Sequence, residues 1–79
     1  MRVLLFAAAR EVVGARDLSL SLAEGAVARD VLDALCAAHP GLRGHRGSLR
    51  LAVEGEYAAE DVALREGVEV AVIPPVAGG

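Results

Sequence analysis

The chain is 79 residues long, 54% hydrophobic, and carries a net charge of −3. That length supports one domain with a single small core and leaves little room for an enclosed active site. Phe6 and Tyr57 are the two aromatic residues, so the stacking platforms and basic balance of a nucleic-acid binder are missing, and the acidic balance suits a basic protein partner.

Met1-Arg2 followed by Val3 to Ala9 has the look of a signal peptide, but Arg10-Glu11 interrupts the apolar run early, and its removal would delete a strand. No apolar stretch approaches the ~20 residues needed to cross a bilayer. Cys36 is the single cysteine and cannot form an internal disulfide, which fits a reducing, cytoplasmic location. Lys, Asn, Gln, Thr and Trp are absent, and every basic side chain is Arg.

In chain order, residues 2–8 read as a mostly apolar strand, with Val3, Leu5 and Ala7 on one side and Leu4, Phe6 and Ala8 on the other. Residues 9–14 read as a turn in which Gly14-Ala15 reverses the chain. Asp17-Leu18-Ser19-Leu20-Ser21-Leu22 alternates polar and apolar and predicts a second, half-buried strand, antiparallel to the first. After Gly25, the spacing of Val27, Val31, Leu32, Leu35, Cys36 and Ala38 predicts an amphipathic helix, with Arg29 and Asp33 placed as an i,i+4 pair. Its start is weak because neither Gly25 nor Ala26 offers a capping oxygen. His39-Pro40-Gly41 ends it.

Residues 41–48 read as a Gly- and Arg-rich loop, residues 49–53 as a short strand, and Glu54-Gly55-Glu56 as a tight turn. Residues 57–65 read as irregular structure closing at Glu66-Gly67, and residues 68–73 as a final alternating strand. The order β-β-α-β-β, with the last strand in the middle of the sheet, describes an α+β fold: a β-grasp roll with a mixed sheet packed on one main helix. The whole chain is one such domain, with a flexible tail from about residue 74 to 79.

Internal chemistry is sparse. Cys36 lies on the apolar stripe of the helix beside Leu32 and Leu35, where a free thiol behaves as a small hydrophobe. Cys36, His39 and His45 do not have the spacing of a zinc site and lack a fourth ligand; no bound metal or cofactor is expected. His39 suits the C-terminal end of the helix dipole. The cluster Arg43 to Arg50 and the acidic stretch Glu54 to Asp61 both read as solvated surface. No phosphate-binding loop, metalloprotease motif or nucleophile elbow is present.

The C-terminal run Pro74-Pro75-Val76-Ala77-Gly78-Gly79 is left. A carboxylate is a poor electrophile and reacts after activation, typically as an acyl-adenylate made by a partner that holds ATP. Gly78 and Gly79 add no Cβ that would clash in a narrow channel and leave φ free. Pro74-Pro75 fixes φ at the point of departure and lowers the entropy lost when the tail is held. From Pro75 the carboxylate reaches at most ~14 Å, enough to enter a neighbouring active site.

Phe6-Ala7-Ala8-Ala9-Arg10-Glu11, the β-grasp order and the ending Pro74 to Gly79 together resemble the small subunit of molybdopterin synthase (MoaD), of the MoaD/ThiS ubiquitin-like sulfur carriers, over essentially the whole length. The chain departs from that family in having Ala77 where Ser or Thr is common and Ala26 where Thr is frequent; thiamine-pathway carriers often end in Ala-Gly-Gly.

The resemblance implies a sulfur carrier whose Gly79 carboxylate is adenylated by an E1-like enzyme using ATP and converted to a thiocarboxylate. The tail then enters the large synthase subunit, which carries the catalytic side chains, and sulfur passes to a cyclic pyranopterin in molybdenum cofactor biosynthesis. It also implies an assembly of two small and two large subunits. Sulfur supply to thiamine, tungsten cofactor or tRNA, and a non-covalent ubiquitin-like module, stay open as alternatives. Alternation places Phe6 and Ile73 away from the helix-covered face, with Tyr57 joining them in an apolar patch for the partner; the competing placement puts Phe6 in the core. Arg10 is expected to hold the turn after the first strand through hydrogen bonds.

Overall fold

The computed structural model describes residues 1–65 and 67–73. Strand β1 spans Arg2–Leu5, helix α1 Ala7–Val13 and β2 Asp17–Ser19. Helix α2 spans Ala28–Ala38 and is followed by a 3-10 run, Pro40–Ser48. Strands β3, Arg50–Val53, β4, Glu56–Ala58, and β5, Val70–Ile73, complete the described chain. The sheet order is β2-β1-β5-β3-β4, with β1 and β5 parallel and every other neighbouring pair antiparallel. This is the expected β-grasp arrangement, with the last strand central and one main helix across the sheet.

The first strand is shorter than its apolar pattern predicts. It stops at Leu5, and Ala7 to Val13, expected as strand and turn, form α1. The residues explain this: Ala7-Ala8-Ala9-Arg10-Glu11 are among the best helix formers. Gly14, at φ +82°, closes the helix with its N–H donating to the Arg10 carbonyl at 2.8 Å, a left-handed cap that suits Gly. Seven residues are too few for a helix to stand alone, so packing holds it: Ala9 is fully buried. Arg10 serves the turn with its carbonyl; among the described residues its exposed guanidinium makes no hydrogen bond, contrary to expectation.

Strand β2 keeps the predicted alternation. Its ladder continues beyond Ser19, because the Leu20 N–H donates to the Met1 carbonyl and the Met1 ammonium to the Leu20 carbonyl, each at 2.9 Å. The start of α2 is firmer than its sequence promised. The Asp30 carboxylate accepts the Val27 N–H at 2.8 Å. The Ala28 and Arg29 N–H groups donate to the carbonyls of Val62 and Glu60 at 2.9 and 2.8 Å. A distant backbone segment thus satisfies donors that a helix start leaves open.

Residues 41–48, expected as loop, wind as the 3-10 run, and Leu42 is fully buried beneath it. Residues 57–65, expected as irregular, contribute the edge strand β4. The turn before it is the predicted tight one, with Glu54 at φ +52° and Gly55 at φ +85°, the backbone of a type I′ hairpin. Val3, Leu5, Leu51, Val70 and Val72 from the sheet meet Val31, Leu32 and Leu35 from α2, with Leu42 and Leu49 between, all essentially without exposure. Burying each such side chain contributes about 1.5–3 kcal/mol.

Candidate functional site

The face of the sheet opposite the helices is organised by register. Leu4 lies across from Ala71, Ala71 from Ala52, and Ala52 from Tyr57. These four make one row over β1, β5, β3 and β4. The next position along the strands pairs Leu5 with Val72, both turned into the core, and the one after that pairs Ile73 with Arg50. Phe6 follows Leu5 in extended geometry, φ −129° and ψ 155°, which carries the parallel register on and sets it beside Ile73.

Phe6 is 46% exposed and Tyr57 62%, while Leu4, Ala71 and Ile73 are half-buried. Phe6 is therefore on the surface and not in the core. The structure brings Phe6 and Ile73 to the same end of the sheet. Tyr57 joins them indirectly: it lies two strands from β5, at about 4.8 Å per strand, and the small side chains of Ala71 and Ala52 link it to β1. The register also adds two residues to this face that the sequence did not single out, Ala52 and Arg50. The pairing of β3 with β5 is what would have revealed them.

Pro74, Pro75, Val76, Ala77, Gly78 and Gly79 lie outside the described residues. The described chain ends at Ile73, between Phe6 and Arg50.

The other sequence candidates disperse. Cys36 is buried in the core. His39 is half-buried behind α2 and His45 is exposed on the 3-10 run; among the described residues no three His, Cys, Asp or Glu side chains gather as a metal site. Ser48 donates to the His45 backbone carbonyl at 3.0 Å. Arg29 and Asp33 do not pair with each other: Arg29 Nε lies 3.9 Å from Glu60, while Asp33 accepts from Arg46 Nε at 2.8 Å. The Arg46 fork also meets both Glu60 oxygens, at 3.0 and 3.2 Å. This hydrogen bonding raises the Arg46 pKa against the opposing effect of burial, and holds the Glu60 carboxyl below its ordinary value. An open cleft of about 660 Å³ lies at the Met1 end, lined by Leu20, Leu22, Ala26, Leu64 and Arg65 among others. Because β1 and β5 are parallel, that is the end of the sheet away from Ile73.

The profile of the ThiS family matches residues 3–79. The chain belongs to the ThiS family. A Chlamydomonas reinhardtii protein named molybdopterin synthase sulfur carrier subunit is 40% identical over 81 residues, spanning 100% of this chain and 98% of that protein. An Arabidopsis thaliana protein of the same name is 38% identical over 79 residues, spanning 100% and 82%. The crystal structure of SAMP1 from Haloferax volcanii aligns with a TM-score of 0.81 at 35% identity, covering 99% of this chain and 97% of that one. What this ThiS-family domain presents is an apolar sheet face running out to Ile73, the last residue of β5. No helix among the described residues is long and apolar enough to cross a membrane.

Proposed function

We propose that this protein is the sulfur carrier subunit of a molybdopterin synthase, and that its reactive group is the Gly79 carboxylate. One observation carries the reading: the apolar face made by Leu4, Phe6, Ala71, Ile73 and Tyr57 runs to the residue from which the tail departs, in a chain matched by its family over residues 3–79. A partner that covers this face receives the tail in the same event.

An E1-like enzyme with ATP would join the carboxylate to AMP, releasing pyrophosphate. Sulfur from a donor would then displace AMP and leave a thiocarboxylate. Gly78 gives clearance in the partner's channel, and Pro74-Pro75, Val76 and Ala77 span the distance. The large synthase subunit supplies the side chains that pass the sulfur to the pterin precursor, in an assembly of two carriers and two large subunits.

Intact mass after incubation with an E1-like enzyme, ATP and a sulfur donor tests the reading. The expected result is a gain equal to one oxygen replaced by sulfur, confined to the C-terminal peptide. Deleting Gly79 is expected to abolish the gain with the melting curve intact, and Cys36→Ala to leave it unchanged. An unaltered mass in the wild type would leave the chain a non-covalent ubiquitin-like module.

A further inference from the structure

The eight basic side chains of this chain are all arginine, and they divide by position. Arg2, Arg29, Arg46 and Arg65 each lie 2.6–3.9 Å from a carboxylate. Arg10, Arg16, Arg43 and Arg50 are exposed and pair with no carboxylate among the described residues.

The topology collects this second set at one end of the molecule. Arg50 is the register partner of Ile73. The Arg16 carbonyl accepts the Leu5 N–H at 2.8 Å, so Arg16 stands beside the end of β1 next to Phe6. Arg10 is on α1, which connects the end of β1 to the segment that holds Arg16. Arg43 is on the 3-10 run that leads into Arg50 and packs on α1 so closely that a Cβ on Gly41 would come within 2.9 Å of Val12. Glu11 is the one carboxylate on α1, the 3-10 run and β3; Asp17, next to Arg16, is matched by Arg2 at 2.8 Å, and Asp33 and Glu60, against the 3-10 run, are matched by Arg46 at 2.8 and 3.0 Å. Glu54, in the β3–β4 turn, Glu69, just ahead of β5, and Glu24, on the Met1 cleft, all lie at the opposite end. The net charge of −3 therefore hides a local reversal of sign: the end from which the tail departs is cationic.

We infer that this arginine-rimmed end docks on the surface of the E1-like enzyme, which would carry carboxylates around the mouth of the site that receives the tail. The inference rests on the carrier reading above, and it reverses, for this face, the expectation of a basic partner drawn from net charge. Complementary charge raises association rates by 10- to 1,000-fold at low salt, and a domain with separated charge also meets such a partner tail end first. Arg10, Arg16 and Arg43 donate no side-chain hydrogen bond among the described residues and give up little on docking, while Arg50 is held at the rim by donating to the Gly47 and Leu49 carbonyls at 3.0 and 2.9 Å. Nucleic acid fits this end less well, since Phe6 is its one aromatic side chain and the molecule as a whole repels phosphate.

The test is the rate of sulfur loading by the E1-like enzyme, read by intact mass across a series of salt concentrations. The variant Arg43→Glu/Arg50→Glu is compared with Arg2→Glu/Arg65→Glu, which changes net charge equally at the other end; melting curves establish that both are folded at the assay temperature. The expected result is a kcat/KM about tenfold lower for the first variant at low salt, with kcat unchanged and the gap closing as salt rises. The second variant is expected to stay within about twofold of wild type. Equal losses in the two variants, no loss in the first, or a wild-type rate that rises with salt would overturn the inference. So would competition by a single-stranded oligonucleotide that the first variant escapes. If the wild type itself acquires no sulfur, the carrier reading fails and takes this inference with it; loading of wild type and first variant at equal rates overturns the inference alone.

Discussion

Arg46 is the most consequential polar residue of the described chain. Its side chain is 23% exposed, and it joins the 3-10 run to α2 through Asp33 and to the segment after β4 through Glu60. The backbone carbonyl of Glu60 in turn accepts from the first turn of α2. Loss of a half-buried charged hydrogen-bonding group costs about 1–2 kcal/mol, so Arg46→Ala is expected to lower Tm by roughly 5–15 °C in a domain of this size; a thermal melt within 2 °C of wild type, a shift on the order of experimental scatter, would contradict it. The Glu60 carboxyl titrates below its ordinary value in the folded state. Its contribution is therefore complete above the unfolded-state pKa, about 4.3, and is lost as pH falls through the lower folded value. Urea melts of wild type and Glu60→Gln are expected to differ at neutral pH and to converge in strong acid; a gap that persists there would show that charge is not its source. Phe6→Ala removes a half-exposed ring, so folding is expected to lose about 1 kcal/mol or less, whereas binding to the large subunit is expected to weaken by about 30-fold, as at an interface anchor. Comparable losses in both would remove Phe6 from the patch. The exposure of Phe6 was readable from its alternation with Val3 and Leu5. The Arg46 network was not, since its partners are 13 and 14 residues away on separate elements and no local pattern announces such a meeting.

Among the elements, α1 shows where local pattern fails. An apolar run of Leu, Phe and Ala satisfies strand and helix alike, and what decides for the helix is the Gly14 cap and the burial of Ala9, together with the space offered by the 3-10 run; the chain turns into it at Ala7, at φ +48°. That space depends on Gly41. Gly41→Ala is expected to push Val12 aside and cost about 1–2 kcal/mol, as overpacking does, and adding Val12→Ala is expected to return part of it. Denaturant titration of the two single variants and the double would measure the coupling; strict additivity would mean that α1 and the 3-10 run do not press on each other there. Strand β4 escaped notice for a different reason. Three residues, Glu56 to Ala58, carry no periodicity of their own and become a strand by pairing with β3. The start of α2 looked weak for the same kind of reason, because its caps are carbonyls of residues 60–62. By contrast α2 itself, β2 and β5 were legible, since each repeats its apolar residues often enough for the period to emerge.

At the scale of the molecule, the legible parts were those that determine topology. The alternation of Val68, Val70 and Val72 demanded a strand with a buried face, and the apolar character of Val3 and Leu5 demanded a central neighbour for it. Their pairing, Val3 with Val70 and Leu5 with Val72, is the middle of the sheet. A proline at Ala71 would take away a ladder donor there and is expected to leave the chain unfolded by circular dichroism, since interior strands do not tolerate proline; a native-like spectrum for Ala71→Pro would refute the centrality of β5. This pairing also has a temporal side. Strand β1, made well before β5, must wait for it before it has its central partner, a contact of high sequence separation that slows folding. A ribosome that stalls before Val70 releases a chain in which β1 and β3 each keep an unpaired edge, the kind of surface along which chains associate.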